Sequence, residues 1–486
     1  GIMVNGIAKK IGNCLYEMPR DYKTGMRVPA RIYASEELLS SMDNAVFEQL
    51  TNVAMLPGIQ SYALCMPDGH SGYGFPIGGV AAIDIEDGVI SPGGIGFDIN
   101  CGVRFFITSL TFQELSPKLN QIMDMLFSRI PSGVGGRGIV SLNDKQFDEA
   151  MVKGCQWAIE HGYGIKDDLT FCEENGCIAN AKPEAVSGKA RERGKEQVGS
   201  LGSGNHYLEF QIIRDEDILN RDIASRFGIT GNNQIACMIH CGSRGFGHQI
   251  ATDYLDQFIS VMKQKYHIDI PDRELACAPF HSKEGQAYFH AMNCAINIAF
   301  LNRQLIFHIV RDVLCTIFKK SPEELGIKLI YDVCHNTAKI EQYDINGKNK
   351  KLLVHRKGAT RAFTKGMQGI PELYREIGQP VLIGGSMQSA SYILVGGPMA
   401  KEAFYSTVHG SGRVMSRQQA KKRFKGRDLA NQMEKSGITV RTRSFSGLAE
   451  EAGAAYKDID EVIDAITRAG LSIPVARMIP IGSIKG

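Results

Sequence analysis

No apolar run in this chain is long enough to cross a membrane or to form the hydrophobic segment of a signal peptide, so a cytoplasmic protein is expected. Its 12 cysteines lack the short, regular spacing of a disulfide scaffold, which excludes a small secreted framework and fits a reducing compartment. Neither sign of charge dominates. A net charge of +3 cannot by itself identify a nucleic-acid partner, because phosphate binding depends on local clustering. Internal repeats, low-complexity linkers and long Pro/Ser stretches are also missing, so nothing divides the 486 residues into independent domains. With 43% hydrophobic and 22% charged residues the composition excludes disorder as the main state. Gly1 and Ile2 precede Met3 and read as an expression remnant, leaving residues 3–486 as one expected domain.

Glycine, by contrast, is abundant. The 53 glycines cluster at 69–79, 93–102, 194–204, 242–247, 384–397 and 410–412, and each cluster punctuates an apolar run. The short β-rich runs 80–85, 235–239, 328–333 and 380–383 read as buried strands that open into these loops. Helical periodicity covers 117–129, 144–161, 248–266, 284–319, 416–436 and 458–469, with no regular βαβ alternation. The expected architecture is α+β: a single large domain with mixed or antiparallel sheets surrounded by helices, and a metal site in a central cleft.

Three histidines stand where strand-like runs meet polar loops: His206 in Gly202-Ser-Gly-Asn-His, His240 in Met238-Ile-His-Cys-Gly, and His335 in Tyr331-Asp-Val-Cys-His. Asp98 and Cys101 share the loop Pro92-Gly-Gly-Ile-Gly-Phe-Asp-Ile-Asn-Cys, where close spacing lets both converge on one ion. Any one of these alone is usually a packed core residue. As a set they exceed the four ligands of a closed structural zinc site, and a thiolate can bridge, so a two-metal catalytic centre is expected. Softness would favour zinc, whereas phosphate chemistry commonly uses magnesium or manganese.

In Thr407-Val-His-Gly-Ser-Gly-Arg413, backbone amides can approach a phosphate while the guanidinium pairs with its oxygens. A neutral His409 imidazole there can attack phosphorus and split a nucleotidyl transfer into two easier steps. On its own this short motif also fits a tight turn with a surface histidine. Arg413, Arg417, Lys421, Lys422, Arg423, Lys425 and Arg427 follow without an intervening acid, as a solvated helix face or an RNA-backbone patch. Lys182, Lys189, Arg191, Arg193 and Lys195 form a second, acid-diluted basic stretch.

Taken together, these segments resemble the RtcB family of RNA-splicing ligases. The resemblance runs colinearly through Leu56-Pro-Gly, Met66 to Gly79, Ser91 to Gly102, Gly202 to Glu209, His240 to Gln249, Asp332 to Lys339, Val354 to Phe363, His409 to Arg413 and Ile484-Lys-Gly486. It implies two Mn²⁺ ions held by Asp98, Cys101, His206, His240 and His335 with the cysteine sulfur shared. It also implies GTP as co-substrate, with His409 attacking the α-phosphate to give a guanylylated histidine. Guanylate would then activate an RNA 3′-phosphate for attack by a 5′-hydroxyl, and a 2′,3′-cyclic phosphate would be opened first. Implied guanylate contacts are Asn205, His206, Glu209, His335, Asn336, Gly384, Gly385, Ser386, Met387, Ser391, Gly410, Ser411, Gly412 and Lys485, with Asp68 and Tyr456 as lesser candidates. The implied partners are RNA, as tRNA halves or broken ends, and archease as an activator.

Cys241 follows His240 and Cys334 precedes His335, so two further thiols are expected to flank the metals. Two rival readings stand beside the ligase. A metal-dependent cyclic phosphodiesterase or phosphatase acting on RNA ends would need the metal ligands but not the His409 loop or Lys485. A catalytically dead RNA-binding scaffold would need neither Asp98, Cys101 nor His409.

Overall fold

The computed structural model describes residues 3–4, 6–133 and 137–486. Two eight-stranded sheets organise the chain. The first runs, in spatial order, Met3–Val4, Ala8–Gly12, Leu15–Met18, Ala30–Tyr33, Ile59–His70, Ile77–Asp84, Lys348–Lys357 and Asn336–Ile345. It is antiparallel except where Ala30–Tyr33 lies parallel to Ile59–His70. The second runs Lys328–Cys334, Gly102–Thr111, Gln234–Cys241, Tyr207–Ile213, Ser472–Lys485, Ser391–Gly396 and Pro380–Ile383, with Thr439–Thr442 parallel to Ser472–Lys485. The α+β architecture with mixed sheets matches the sequence reading.

Apolar runs in the second sheet are continuous because both faces are covered. Along Gly102–Thr111, Phe106 and Leu110 pack into one core while Val103, Phe105 and Ile107 pack into another on the opposite face. The first of these cores is closed by the 36-residue helix Lys283–Phe318, capped by Ser282, whose hydroxyl accepts from the Gly285 N–H at 3.0 Å. Two expected helices are each broken in two. The stretch 144–161 turns at Gly154 into Asp144–Lys153 and Cys155–Glu160, and 416–436 becomes Arg417–Arg423 and Gly426–Lys435 because Phe424 adopts extended backbone. No helix among the described residues is long and apolar enough to cross a membrane.

His335 links an edge strand of one sheet to an edge strand of the other. The edge strand Lys328–Cys334 of the second ends at it, and the edge strand Asn336–Ile345 of the first begins just beyond it. The cleft opens along this seam.

Candidate active site

Sheet register assembles the site. Gly102 pairs with Cys241 on one side and Cys334 on the other, while Tyr207 pairs with His240 and Lys485. Each of these pairs lies at a strand end, so Cys101, His206, His240, His335 and Lys485 come to one edge of the sheet although they are far apart in sequence. Asp98 joins them from the loop before Gly102.

Cys101 Sγ lies 3.1 Å from His240 Nε2 and 3.8 Å from His206 Nε2, and His206 Nε2 lies 2.7 Å from Asp98 Oδ2. Two triads result, each with ligand atoms within 4.8 Å of one another: Cys101, His240 and His335, and Asp98, Cys101 and His206. Cys101 belongs to both, as a bridging thiolate would. The donors suit divalent cations in a further way. Both ring nitrogens of His335 and Nδ1 of His240 are buried with no protein partner, an arrangement that an interior imidazole tolerates when it meets an ion or a water.

Electrostatics agree with ligation. Burial, with further contributions from neighbouring cationic groups, pushes His240 and His335 well below the ordinary histidine value, leaving the neutral rings that bind metals. Burial would raise the Asp98 carboxyl, but His206, Cys101 and His240 outweigh it and hold it at about 2. Burial and the neighbouring Asp98 push the Cys101 thiol well above its usual value, so its thiolate depends on a bound cation.

A single guanidinium supports this geometry from behind. Arg303, fully buried on the long helix, donates to the carbonyls of Asn100 and Cys241, both at 2.8 Å, to Asn100 Oδ1 at 3.1 Å, and to Asp332 Oδ1 at 2.9 Å. Asp332 also accepts from Arg104 Nε at 2.9 Å. Asn100 precedes Cys101 and Cys241 follows His240, so Arg303 ties the ligand-bearing segments together.

His409 follows the strand Ser406–Val408, with its ring centroid 5.5 Å from that of His335. Its Nδ1 lies 2.7 Å from Asp68 Oδ2. The same oxygen accepts from the backbone N–H of His409 and Gly410, at 3.2 and 3.3 Å. Burial would raise Asp68, yet His409 and Lys457 bring it below the ordinary carboxylate value. Gly412 closes the loop at φ +77°, where an added Cβ would come within 2.1 Å of the Asp68 carbonyl oxygen.

Asp98, Cys101, His240, His335 and His409 line one cleft of about 370 Å³. Of the residues expected at the guanylate, Asn205, His335, Asn336, Gly384, Gly385, Ser386, Met387, His409, Gly410, Ser411, Gly412 and Lys485 line it, as does Tyr456. Three expected residues stand behind the wall. His206 meets the cleft through its triad. Ser391 Oγ accepts from the Gly385 N–H at 3.2 Å, and Glu209 pairs with Gln211 Nε2 at 2.8 Å while burial lifts its carboxyl to about 8. Lys485 is no frayed tail: buried in the Ser472–Lys485 strand, its ammonium donates to the carbonyls of Gly204 and His206 and so braces the loop that carries His206.

Among the residues of the proposed RNA patch, Arg413 and Arg417 line the cleft but are held by Glu451, at 2.9 and 3.1 Å, whereas Lys421, Lys422 and Arg423 are exposed on the helix beyond. The weaker basic stretch is occupied elsewhere: Arg191 pairs with Asp148, and Lys195 with Asp144 and Glu192. Cys241 and Cys334, expected to flank the metals, adjoin ligands in sequence without being part of either set. Neither thiol joins a triad, because strand alternation turns Cys241 into the core beside Cys237 and Ile239, and Cys334 toward Lys339. Sequence reading missed Lys357, Phe97 and Glu451 in the cleft wall and left Asp68 a minor candidate.

A cleft with two three-residue sets that could each hold a metal ion and that share one sulfur, next to an imidazole facing a buried carboxylate, has the make-up of a metal-assisted enzyme site. A family model described as tRNA-splicing ligase RtcB matches residues 49–486. The tRNA-splicing ligase RtcB of Archaeoglobus fulgidus is 50% identical over 484 residues, covering 99% of this chain and 100% of that protein. That of Thermococcus kodakarensis is 48% identical over 481 residues, covering 98% of each. RNA-splicing ligase RtcB homolog 1 of Entamoeba histolytica is 45% identical over 482 residues, covering 96% of this chain and 91% of that protein. The chain belongs to the RtcB family of RNA ligases.

Proposed function

We propose that this enzyme joins RNA 3′-phosphate or 2′,3′-cyclic phosphate ends to 5′-hydroxyl ends in tRNA splicing or RNA repair, using GTP and Mn²⁺, with residues 3–486 acting as one catalytic unit. The observation that carries the reading is the placement of His409, faced by the buried Asp68 carboxylate, in the same cleft as both triads. Two Mn²⁺, one on Cys101, His240 and His335 and one on Asp98, Cys101 and His206, would neutralise phosphate charge as Lewis acids.

The chain's own residues supply the rest. Asp68 occupies the Nδ1 side of His409, leaving Nε2 as the nucleophile. Nε2 bonds to the α-phosphorus of GTP, the bond to the bridging oxygen breaks and pyrophosphate leaves. An RNA 3′-phosphate oxygen then takes the guanylyl group, breaking the N–P bond and freeing His409. A 5′-hydroxyl attacks the activated phosphate, loses its proton and expels GMP. Asn205, Asn336, the 384–387 and 410–412 loops and Lys485 bind the nucleotide, with Glu209 and Ser391 holding those walls from behind. Arg413, Arg417, Lys421, Lys422 and Arg423 lead the RNA backbone away from the cleft. Archease is proposed as an activating partner.

Incubation with α-labelled GTP and Mn²⁺ should leave acid-labile label on the wild type and none on His409→Ala. The rival hydrolase has no use for a histidine oriented in this way, so unlabelled protein that still opens cyclic phosphates would favour it.

A further inference from the structure

A second cavity of about 430 Å³ lies outside the cleft, toward the C-terminal end of the helix Arg417–Arg423. Arg417 at the start of that helix lines the cleft and Lys421 lines the outer cavity, about 6 Å further along at 1.5 Å per residue. The helix therefore forms a short basic bridge from the reacting centre to the outer site.

The wall of the cavity combines aromatic and cationic groups. Phe445, 41% exposed, is one of the few large apolar side chains left at the surface, and Phe424 packs partly buried beside it. An isolated exposed phenylalanine would mean little. Here the Arg427 guanidinium lies 4.8 Å from the Phe445 ring centroid and that of Arg423 lies 5.4 Å from Phe424. Lys421, Lys425 and Arg427 bring three cations to the lining, where Asp428 is the acid and Lys421 also faces Glu450 at 3.6 Å, which leaves Lys425 and Arg427 as the cations that count. The frame is rigid: Gly426 approaches Phe445 so closely that a Cβ there would come within 1.8 Å of the Phe445 carbonyl oxygen. A flat ring held on a fixed backbone and ringed by cations suits a nucleobase flanked by phosphates, since any base offers a π-face and the cations follow the strand. An acidic peptide would use the cations but not the rings.

We propose that this cavity is a single-stranded RNA subsite, in which a base beyond the reacting end stacks on Phe445 while Lys425 and Arg427 hold its neighbouring phosphates. The proposal rests on the RNA-ligase reading and adds to it a distal contact that discriminates long from short ends.

The test uses the full chain with Mn²⁺. Anisotropy of a fluorescent single-stranded RNA ending in 3′-phosphate gives Kd, ligation of substrates with long and short single-stranded ends gives KM, and labelling by α-labelled GTP without RNA gives an independent check. Phe445→Ala should weaken long-RNA binding by about 5- to 150-fold, the range of one lost base–aromatic stack, with KM rising for long ends only. Phe445→Trp should preserve or tighten binding. Lys425→Ala/Arg427→Ala should lower the slope of log Kd against log salt by roughly 1.4, for two phosphates of a single strand. Labelling should stay at the wild-type level in all three. Unchanged Kd, KM and salt slope in labelling-competent variants would overturn the subsite and leave the patch as a protein-facing or solvated surface. A wild type that takes no label would instead sink the ligase reading itself. Should Phe445→Ala fail to fold, the tryptophan and double-alanine variants still decide.

Discussion

Replacing Arg303 by Met should damage metal binding from a residue that touches no ligand atom. The methionine keeps an apolar side chain of comparable length but removes the fork that donates to Asn100, Cys241 and Asp332. Two carbonyls then lose buried donors, and Asp332 keeps Arg104 as its remaining guanidinium partner. Removing one member of a buried ion pair costs about 3–5 kcal/mol. Unfolding entropy of about 2.1 cal/mol/K per residue over 486 residues is about 1 kcal/mol/K, so Tm should fall by only about 3–5 °C. The protein would remain folded at 25 °C, but Cys101 and His240 would lose the brace on their neighbours. Removal of groups that orient metal ligands typically weakens the metal about 10- to 100-fold, and that loss is expected here. Titration of free Mn²⁺ by electron paramagnetic resonance gives the affinity, and thermal melts of metal-free protein give the stability. Arg303→Lys separates the two effects: its charge still meets Asp332, so Tm should partly recover, whereas the planar fork is gone and the metal should remain weak. Wild-type Mn²⁺ affinity in Arg303→Met, at whatever Tm, would refute the reasoning.

Three further outcomes follow from the same geometry. Asp68→Asn keeps the side-chain volume but removes the charge beside His409 Nδ1, and single-turnover guanylylation should slow by about 10²- to 10⁴-fold. Cys101→Ser removes the donor common to both triads, so metal per chain after dialysis, measured by mass spectrometry, should fall from the proposed two to one or fewer. Burial lowers the Lys357 ammonium to about 7 from an ordinary 10.5. Between those values the unfolded chain binds the extra proton, so its contribution to stability rises with pH across that window and its cost is complete below about 7. Lys357→Met should therefore compare most favourably with wild type in melts near pH 6 and least favourably near pH 10; a constant difference in Tm would contradict this.

That Asp98, Cys101, His206, His240 and His335 belong together was readable from sequence because cysteine and histidine at strand ends are chemically distinctive in themselves. Their register was not, since nothing in the local pattern tells that Gly102 lies between Cys241 and Cys334. Asp68 was underrated for the same reason: its meaning comes from His409, 341 positions away. The breaks at Gly154 and Phe424 interrupt patterns whose apolar period continues through them, so periodicity alone joined the helices. Lys357 and Glu451 carry no motif of their own, and only the folded cleft shows what they face.

The strand Ser472–Lys485 lies between Tyr207–Ile213 and Ser391–Gly396, both of which leave the ribosome before it does. During synthesis, the wall that carries His206 stays open until Ser472–Lys485 pairs with Tyr207–Ile213. The wall is therefore closed from the C-terminal side, by a strand that pairs with two others made well before it.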